Sequence, residues 1–255
     1  MKKLIFAIFS VSILFFSSCS VYEDLYFLEN GQVKYNMTVD ASDMMSMVGQ
    51  SSLKSGDNYP KDSIINFTQI VRDTLKNISP DIEQDLKNIE PLYMRVQNND
   101  SLGILKISLY GDFDNMQAFT NAFNSMSKLE SEIKNKENNP LKKMSVDNLF
   151  SRNVFSWDGT TLKRDVKAPE KAEGNADEEG EEDADIRLDK TMDESMKRLF
   201  SQGKMVVKYH FPKKIKNVSN EDATFSMDGK TAIINYPANL FLEPTNELSI
   251  EIETE

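Results

Sequence analysis

The sequence predicts an α+β fold, an antiparallel sheet built of hairpins with helices packed on one side. Three observations carry this expectation. Several segments alternate apolar and polar residues with period two, as half-buried strands do. Others repeat apolar residues at spacings of three and four, as amphipathic helices do. Turn dipeptides link neighbouring strand segments, so hairpins outnumber βαβ crossovers.

Val33, Tyr35, Met37 and Val39 alternate with Lys34, Asn36, Thr38 and Asp40, which predicts the first strand. A helix follows, capped by Asp62 or Ser63, with Ile64, Phe67, Val71, Leu75 and Ile78 on one face. Pro80 interrupts it. A second short helix over 81–89 turns Ile82, Leu86 and Ile89 inward, and Pro91 ends it. Residues 93–96 and 102–110 read as strands joined by Asn98-Asn99-Asp100, with Leu105, Ile107 and Leu109 on one face of the second. The clearest helix starts at Asp112 or Asp114. Its stripe is Met116, Phe119, Phe123, Met126 and Ile133, and Asn138-Asn139-Pro140 closes it. Residues 150–157 and 160–166 form a hairpin around Asp158-Gly159. A helix capped by Asp189, with Met192, Met196 and Leu199 inward, ends at Gly203. A strand over 205–211, a hairpin around Asp228-Gly229-Lys230 and a last strand over 248–253 complete the chain. Residues 44–56 mix Met, Ser and Gly and read equally as short helix or loop.

Five regions follow. Residues 1–18 are a signal peptide and 19–30 a lipidated tether. Residues 31–168 form an α+β region, and 169–186 an acidic low-complexity linker. Residues 187–255, a helix plus β-meander, complete the same domain. Residues 170–185 hold nine acids and one Lys, with no aromatic or β-branched residue to offset the cost of ordering.

The leader pattern is specific. Lys2 and Lys3 supply positive charge, and the 13 residues Leu4 to Phe16 are apolar except for Ser10 and Ser12. A membrane span needs about 20 apolar residues, so this stretch fits a cleaved secretory signal instead. Phe16-Ser17-Ser18-Cys19 resembles the lipobox of bacterial lipoproteins, with Phe16 where that family most often has Leu. The resemblance implies cleavage before Cys19 and acylation of its sulfur. Cys19 is the only cysteine, so no intramolecular disulfide competes for it. By the same resemblance, Ser20 rather than Asp after the cysteine implies the outer membrane. Glu23-Asp24 resembles a surface-export signal, so a periplasmic and a surface-exposed face both stay open.

Composition limits partners. The net charge is −11, and cleavage removes two lysines and no acids, leaving −13 on 237 residues. Such a chain repels phosphate backbones, which argues against nucleic acid as a partner. Chemistry is sparsely supported. His210 is the only histidine, and it lies in a strand beside Phe211 and Pro212. No Gly-rich phosphate loop occurs, and the spacing of Asp40, Asp43 and Asp57 matches no EF-hand. No catalytic residue, metal ligand or cofactor is therefore assigned. Met44-Met45-Ser46-Met47 is the most unusual local feature, since Met suits adaptable apolar surfaces.

Gly31-Gln32-Val33-Lys34-Tyr35-Asn36-Met37-Thr38-Val39-Asp40 resembles a family of flavobacterial-type Bacteroidota lipoproteins. So does Tyr209-His210-Phe211-Pro212-Lys213-Lys214-Ile215-Lys216 with Asp228-Gly229-Lys230-Thr231. This second stretch also resembles the C-terminal strands of LppM-type lipoprotein domains. These motifs are strand and turn patterns, so the resemblance implies an envelope location and a fold but no activity. The leading expectation is a non-enzymatic binding or assembly module, held to the membrane by lipid on Cys19, with an envelope protein or lipid as partner. One rival is a carrier of acyl chains or apolar peptides, its cavity lined by Met37, Met44, Met45, Phe119 and Phe123. Another is a hydrolase with two carboxylates facing each other in a cleft.

Overall fold

The structure is a computed structural model that describes residues 19–43, 62–75, 78–99, 101–133, 153–166, 197–198 and 200–255. The signal segment, the Met44-Met45-Ser46-Met47 run, the Asn138-Asn139-Pro140 stop, the acidic linker and Asp189 to Met196 lie outside those residues.

Among the described residues twelve strands form two sheets, and the fold is α+β as the sequence predicts. The strands are β1 Ser20–Phe27, β2 Val33–Asp40, β3 Asp62–Asn66, β4 Leu92–Asn99, β5 Ile104–Phe113, β6 Asn153–Trp157, β7 Thr161–Val166, β8 Lys204–His210, β9 Ile215–Val218, β10 Thr224–Phe225, β11 Thr231–Pro237 and β12 Ile250–Thr254. The helices are α1 Phe67–Thr74, α2 Pro80–Asn88, α3 Met116–Ile133 and the single turn α4 Asn239–Leu242, followed by a 3-10 turn at Asn246–Leu248. The large sheet has eight strands in the order β10-β11-β8-β1-β2-β5-β4-β3; the small one has four, β6-β7-β12-β9.

The segment expected as a tether is a central strand. Residues 20–27 alternate strictly, with Val21, Glu23, Leu25 and Phe27 buried. A glutamate among the inward positions breaks the apolar pattern and masks the strand at sequence level. β1 pairs antiparallel with β2, Ser20 opposite Asp40, and parallel with β8, Ser20 opposite Lys204. This parallel pair departs from the expected all-hairpin sheet. It brings the C-terminal region into the same sheet as residues 20–40.

Other boundaries also shift. Asp62–Asn66 is strand rather than helix start, pairing with β4. The side chain of Asn66, not Asp62 or Ser63, accepts the cap bond from the N–H of Thr68 at 2.8 Å. The β-branched pair Ile64-Ile65 suits a strand as well as a helix face, and pairing with β4 decides it. Pro80 is the first residue of α2, where its missing N–H costs nothing, and Ser79 caps. Asn115, not Asp112 or Asp114, caps α3 by accepting from the N–H of Ala118 at 2.9 Å. Asp112 belongs to β5. The β6–β7 turn forms as expected: Asp158 Oδ1 accepts from the N–H groups of Thr160 and Thr161, and Gly159 takes φ +97°.

The large sheet buries one face. Over β1, β8 and β11 it packs on the small sheet; over β2, β5, β4 and β3 it packs on α1–α3. Phe119 of α3 is fully buried, and its ring meets those of Tyr35, Phe113, Phe123 and Phe155 at 4.5 to 5.7 Å. At the far end of β1, Phe27, Trp157 and Phe211 join the two sheets with centroids 4.8 to 5.4 Å apart. At the near end, Gly203 lets β8 start against Cys19. A Cβ there would lie 2.0 Å from the Cys19 carbonyl oxygen and 2.9 Å from Ala238 Cβ.

Gly203→Ala therefore forces backbone apart at the first rung of the β1–β8 pair. We expect a loss of about 1–3 kcal/mol, as for other overpacked sites. The check is a lower urea midpoint with an unchanged slope.

Candidate functional site

The buried polar centre lies between the sheets. Glu23 points inward from β1 and Arg164 from β7, where Leu162, Arg164 and Val166 are the buried residues. Arg164 Nη1 donates to Glu23 Oε2 at 2.8 Å and to the Tyr209 hydroxyl at 2.9 Å. Arg164 Nε donates to Asn153 Oδ1 at 2.9 Å, and its guanidinium stands 5.1 Å from the centroid of Phe155. The Tyr35 hydroxyl donates to Glu23 Oε1 at 3.0 Å. Glu23 and Arg164 are 4% and 3% exposed, so this is a desolvated ion pair. Burial alone would lower the Arg164 pKa, but Glu23 and Tyr209 raise it, so the guanidinium stays charged. Burial pushes the Tyr209 phenol upward, against the opposing pull of Arg164. Burial, then the Glu23 carboxylate, pushes Tyr35 well above the ordinary phenol range. A carboxylate held by a guanidinium and a phenol is a structural clamp. At 4% exposure it lacks the access to water that a general base acting on solvent needs.

His210 sits on the opposite, half-exposed face of the large sheet. Its Nε2 is 3.0 Å from Asp24 Oδ1, its Nδ1 is 3.1 Å from Thr231 Oγ1, and the Tyr26 ring stacks on it at 4.0 Å and 4°. The Thr231 N–H is bonded to Ser226 Oγ at 3.0 Å. The cluster is a polar patch across β1, β8 and β11. It also gives Asp24 a place in the fold, as the ion pair does for Glu23.

Beyond the His210 end of the sheet, Pro212, Lys213, Lys214, Lys230 and Glu255 line an open hollow of about 510 Å³. The lysines come from the β8–β9 and β10–β11 connections. The sequence places Lys230 in a hairpin turn and does not bring these residues together.

The nominated apolar contacts separate. Met37, Phe119 and Phe123 are 5%, 0% and 4% exposed and pack into the core with Tyr35 and Phe155. Their surfaces are filled by protein, so the cavity required of a carrier gains no support from them. Met44 and Met45 lie outside the described residues. Among the described residues no group of three or more His, Cys, Asp and Glu could hold a metal ion.

Cys19 lies at the near rim, in line with β1; it is buried, and its carbonyl lies beside Gly203. Burial pushes its thiol up to about 11, and the carboxylates of Asp43 and Asp40 add to the effect. A thiol so held is almost wholly protonated at neutral pH and is a poor nucleophile. In the folded domain its backbone is fixed by β1 with no residue of slack.

Two predictions follow from the buried centre. Arg164→Met leaves Glu23 charged and unpaired, and about 3–5 kcal/mol of stability should be lost. The double variant Glu23→Leu/Arg164→Met should recover much of it, and urea unfolding of both variants checks the difference. The second concerns pH. Tyr35 and Tyr209 keep their protons to higher pH in the fold than in the unfolded chain, where a phenol titrates near about 10. The unfolded chain releases protons first. The stabilisation is thus fully present below that pH and is lost as pH rises beyond it. Unfolding midpoints measured across the alkaline range should fall, and Tyr209→Phe should flatten the decline.

No family model and no curated protein matches the chain. Among solved structures it is similar to the folded domain of the LppM protein of Mycobacterium tuberculosis, determined by NMR. That similarity covers 95% of this chain and 94% of the other, at 10% identity and a TM-score of 0.37. The two chains are weak structural neighbours.

Proposed function

We propose that the chain is a lipid-anchored envelope protein of the outer membrane, a non-enzymatic binding or assembly module held through acylated Cys19. The observation that carries this reading is the position of Cys19: it ends a secretory leader pattern and immediately precedes the first strand of the domain. No helix among the described residues is long and apolar enough to cross a membrane, so a lipid on Cys19 would supply the attachment. A single chain binds membranes only marginally, and two or more hold stably.

A binding role is supported by what the domain presents to solvent. The open face of the large sheet carries Tyr22, Tyr26, Tyr93 and Tyr110 among Asp24, Lys34, Arg95, Lys208 and His210. Mixed aromatic and polar surfaces of this kind suit protein partners.

Cys19→Ala, expressed with its native leader, should move the protein from the membrane to the soluble fraction and abolish incorporation of an alkyne-tagged fatty acid. A wild-type chain that stays soluble and unlabelled would end this reading.

A further inference from the structure

The lipid proposed on Cys19 would fix how the domain meets its membrane. β1 begins at Ser20, so no linker separates the lipidated residue from the sheet. At the level of Ser20 the sheet carries Asp40 on β2 and Lys106 on β5, in one row of partners. The β4–β5 hairpin does not stop there. Its ladder runs on to Asn99 opposite Ile104, two residues farther, before the turn. At about 3.3 Å per residue the hairpin overhangs Ser20 by roughly 7 Å, whereas Cys19 extends by one residue. Sideways, β5 is two strand spacings from β1, roughly 10 Å.

The tip of this overhang is Leu102, 70% exposed. The turn is held: the Leu102 N–H donates to the Asn99 carbonyl at 3.2 Å and to Asn99 Oδ1 at 3.1 Å. A single exposed leucine is ordinary on any protein surface. What distinguishes this one is its place, beyond the anchor and on the same end of the sheet. Asp40 and Asp43 near the same rim offset its lysines, so electrostatic attraction to anionic lipid contributes little there.

We propose that the Leu102 hairpin tip is a second membrane contact. It rests in the interfacial layer beside the Cys19 lipid and holds the sheet upright on the bilayer. The proposal rests on the anchor reading above. The occupant is a phospholipid surface, because the lipid on Cys19 brings that surface to this rim and to no other. The opposite rim, with the lysine-lined hollow and the β10–β11 turn, is then carried away from the membrane. β1 alone spans roughly 26 Å between the two ends, eight residues at about 3.3 Å each.

The test uses the full-length protein, extracted as the lipoprotein and returned to phosphatidylcholine vesicles containing doxyl-labelled phospholipid. Leu102→Cys and Met227→Cys are compared, each carrying an environment-sensitive thiol fluorophore. Met227 is also apolar, is fully exposed, and lies in the β10–β11 turn at the far rim. An acylated Cys19 has no free thiol, so each variant should show one thiol per chain after denaturation. The expected result is one thiol, with quenching at position 102 several-fold deeper than at 227. One thiol with equal or absent quenching at 102 would overturn the hairpin contact and leave the anchor standing. Two thiols per chain would show an unmodified Cys19 and overturn both.

Discussion

The Glu23–Arg164 pair is the constraint on which the two-sheet arrangement turns. Each charge costs several kcal/mol to take out of water, and neither is tolerable without the other. Glu23 is therefore bound to a guanidinium that comes from the other sheet, 141 residues along the chain. Any slippage of β1 by one residue would turn Glu23 to the open face and expose Val21, Leu25 and Phe27. The pair thus specifies both the register of β1 and the facing of β7. Tyr35, Tyr209 and Asn153 add hydrogen bonds to the pair from β2, β8 and β6.

β1 carries Glu23 near its middle and follows Cys19 directly, so the strand that organises the core is also the one that leads from the proposed lipid site. In the proposed lipoprotein the anchored residue and the central strand would be continuous, and the orientation of the sheet would follow from the position of the acyl chains. The open face and the lysine-lined hollow would then be presented in defined directions, and such preorganisation lowers the entropic cost of meeting a partner.

The folded structure gives the chemistry-bearing residue types their surroundings. Among the described residues, Glu23 is the one buried acid, and it is bound to Arg164 and Tyr35. His210 has Asp24, Thr231 and the stacked Tyr26 ring around it. Composition alone shows none of these contacts.

Local periodicity and turn chemistry by themselves determined much of the architecture. The alternation at 33–40, the amphipathic stripe from Met116 to Met126 and the turns at Gly159 and Gly229 all became the elements they imply. These depend on contacts within a few residues or on one buried face. The sequence also marked Cys19, through the leader that precedes it. The tertiary structure decided what depends on partners far along the chain. Residues 20–27 became a strand because β2 and β8 flank them, and their inward glutamate is tolerable only with Arg164 present. Ile64-Ile65 became strand because β4 lies beside them. Phe119 and Phe123 pack against Tyr35 and Phe155, and Met37 is buried in the same core. The direction in which the Leu102 turn projects from the Cys19 rim is set by the register of strands joined over long separations. Short-range pattern does not encode register of that kind; it emerges only when buried charge and packing are satisfied together.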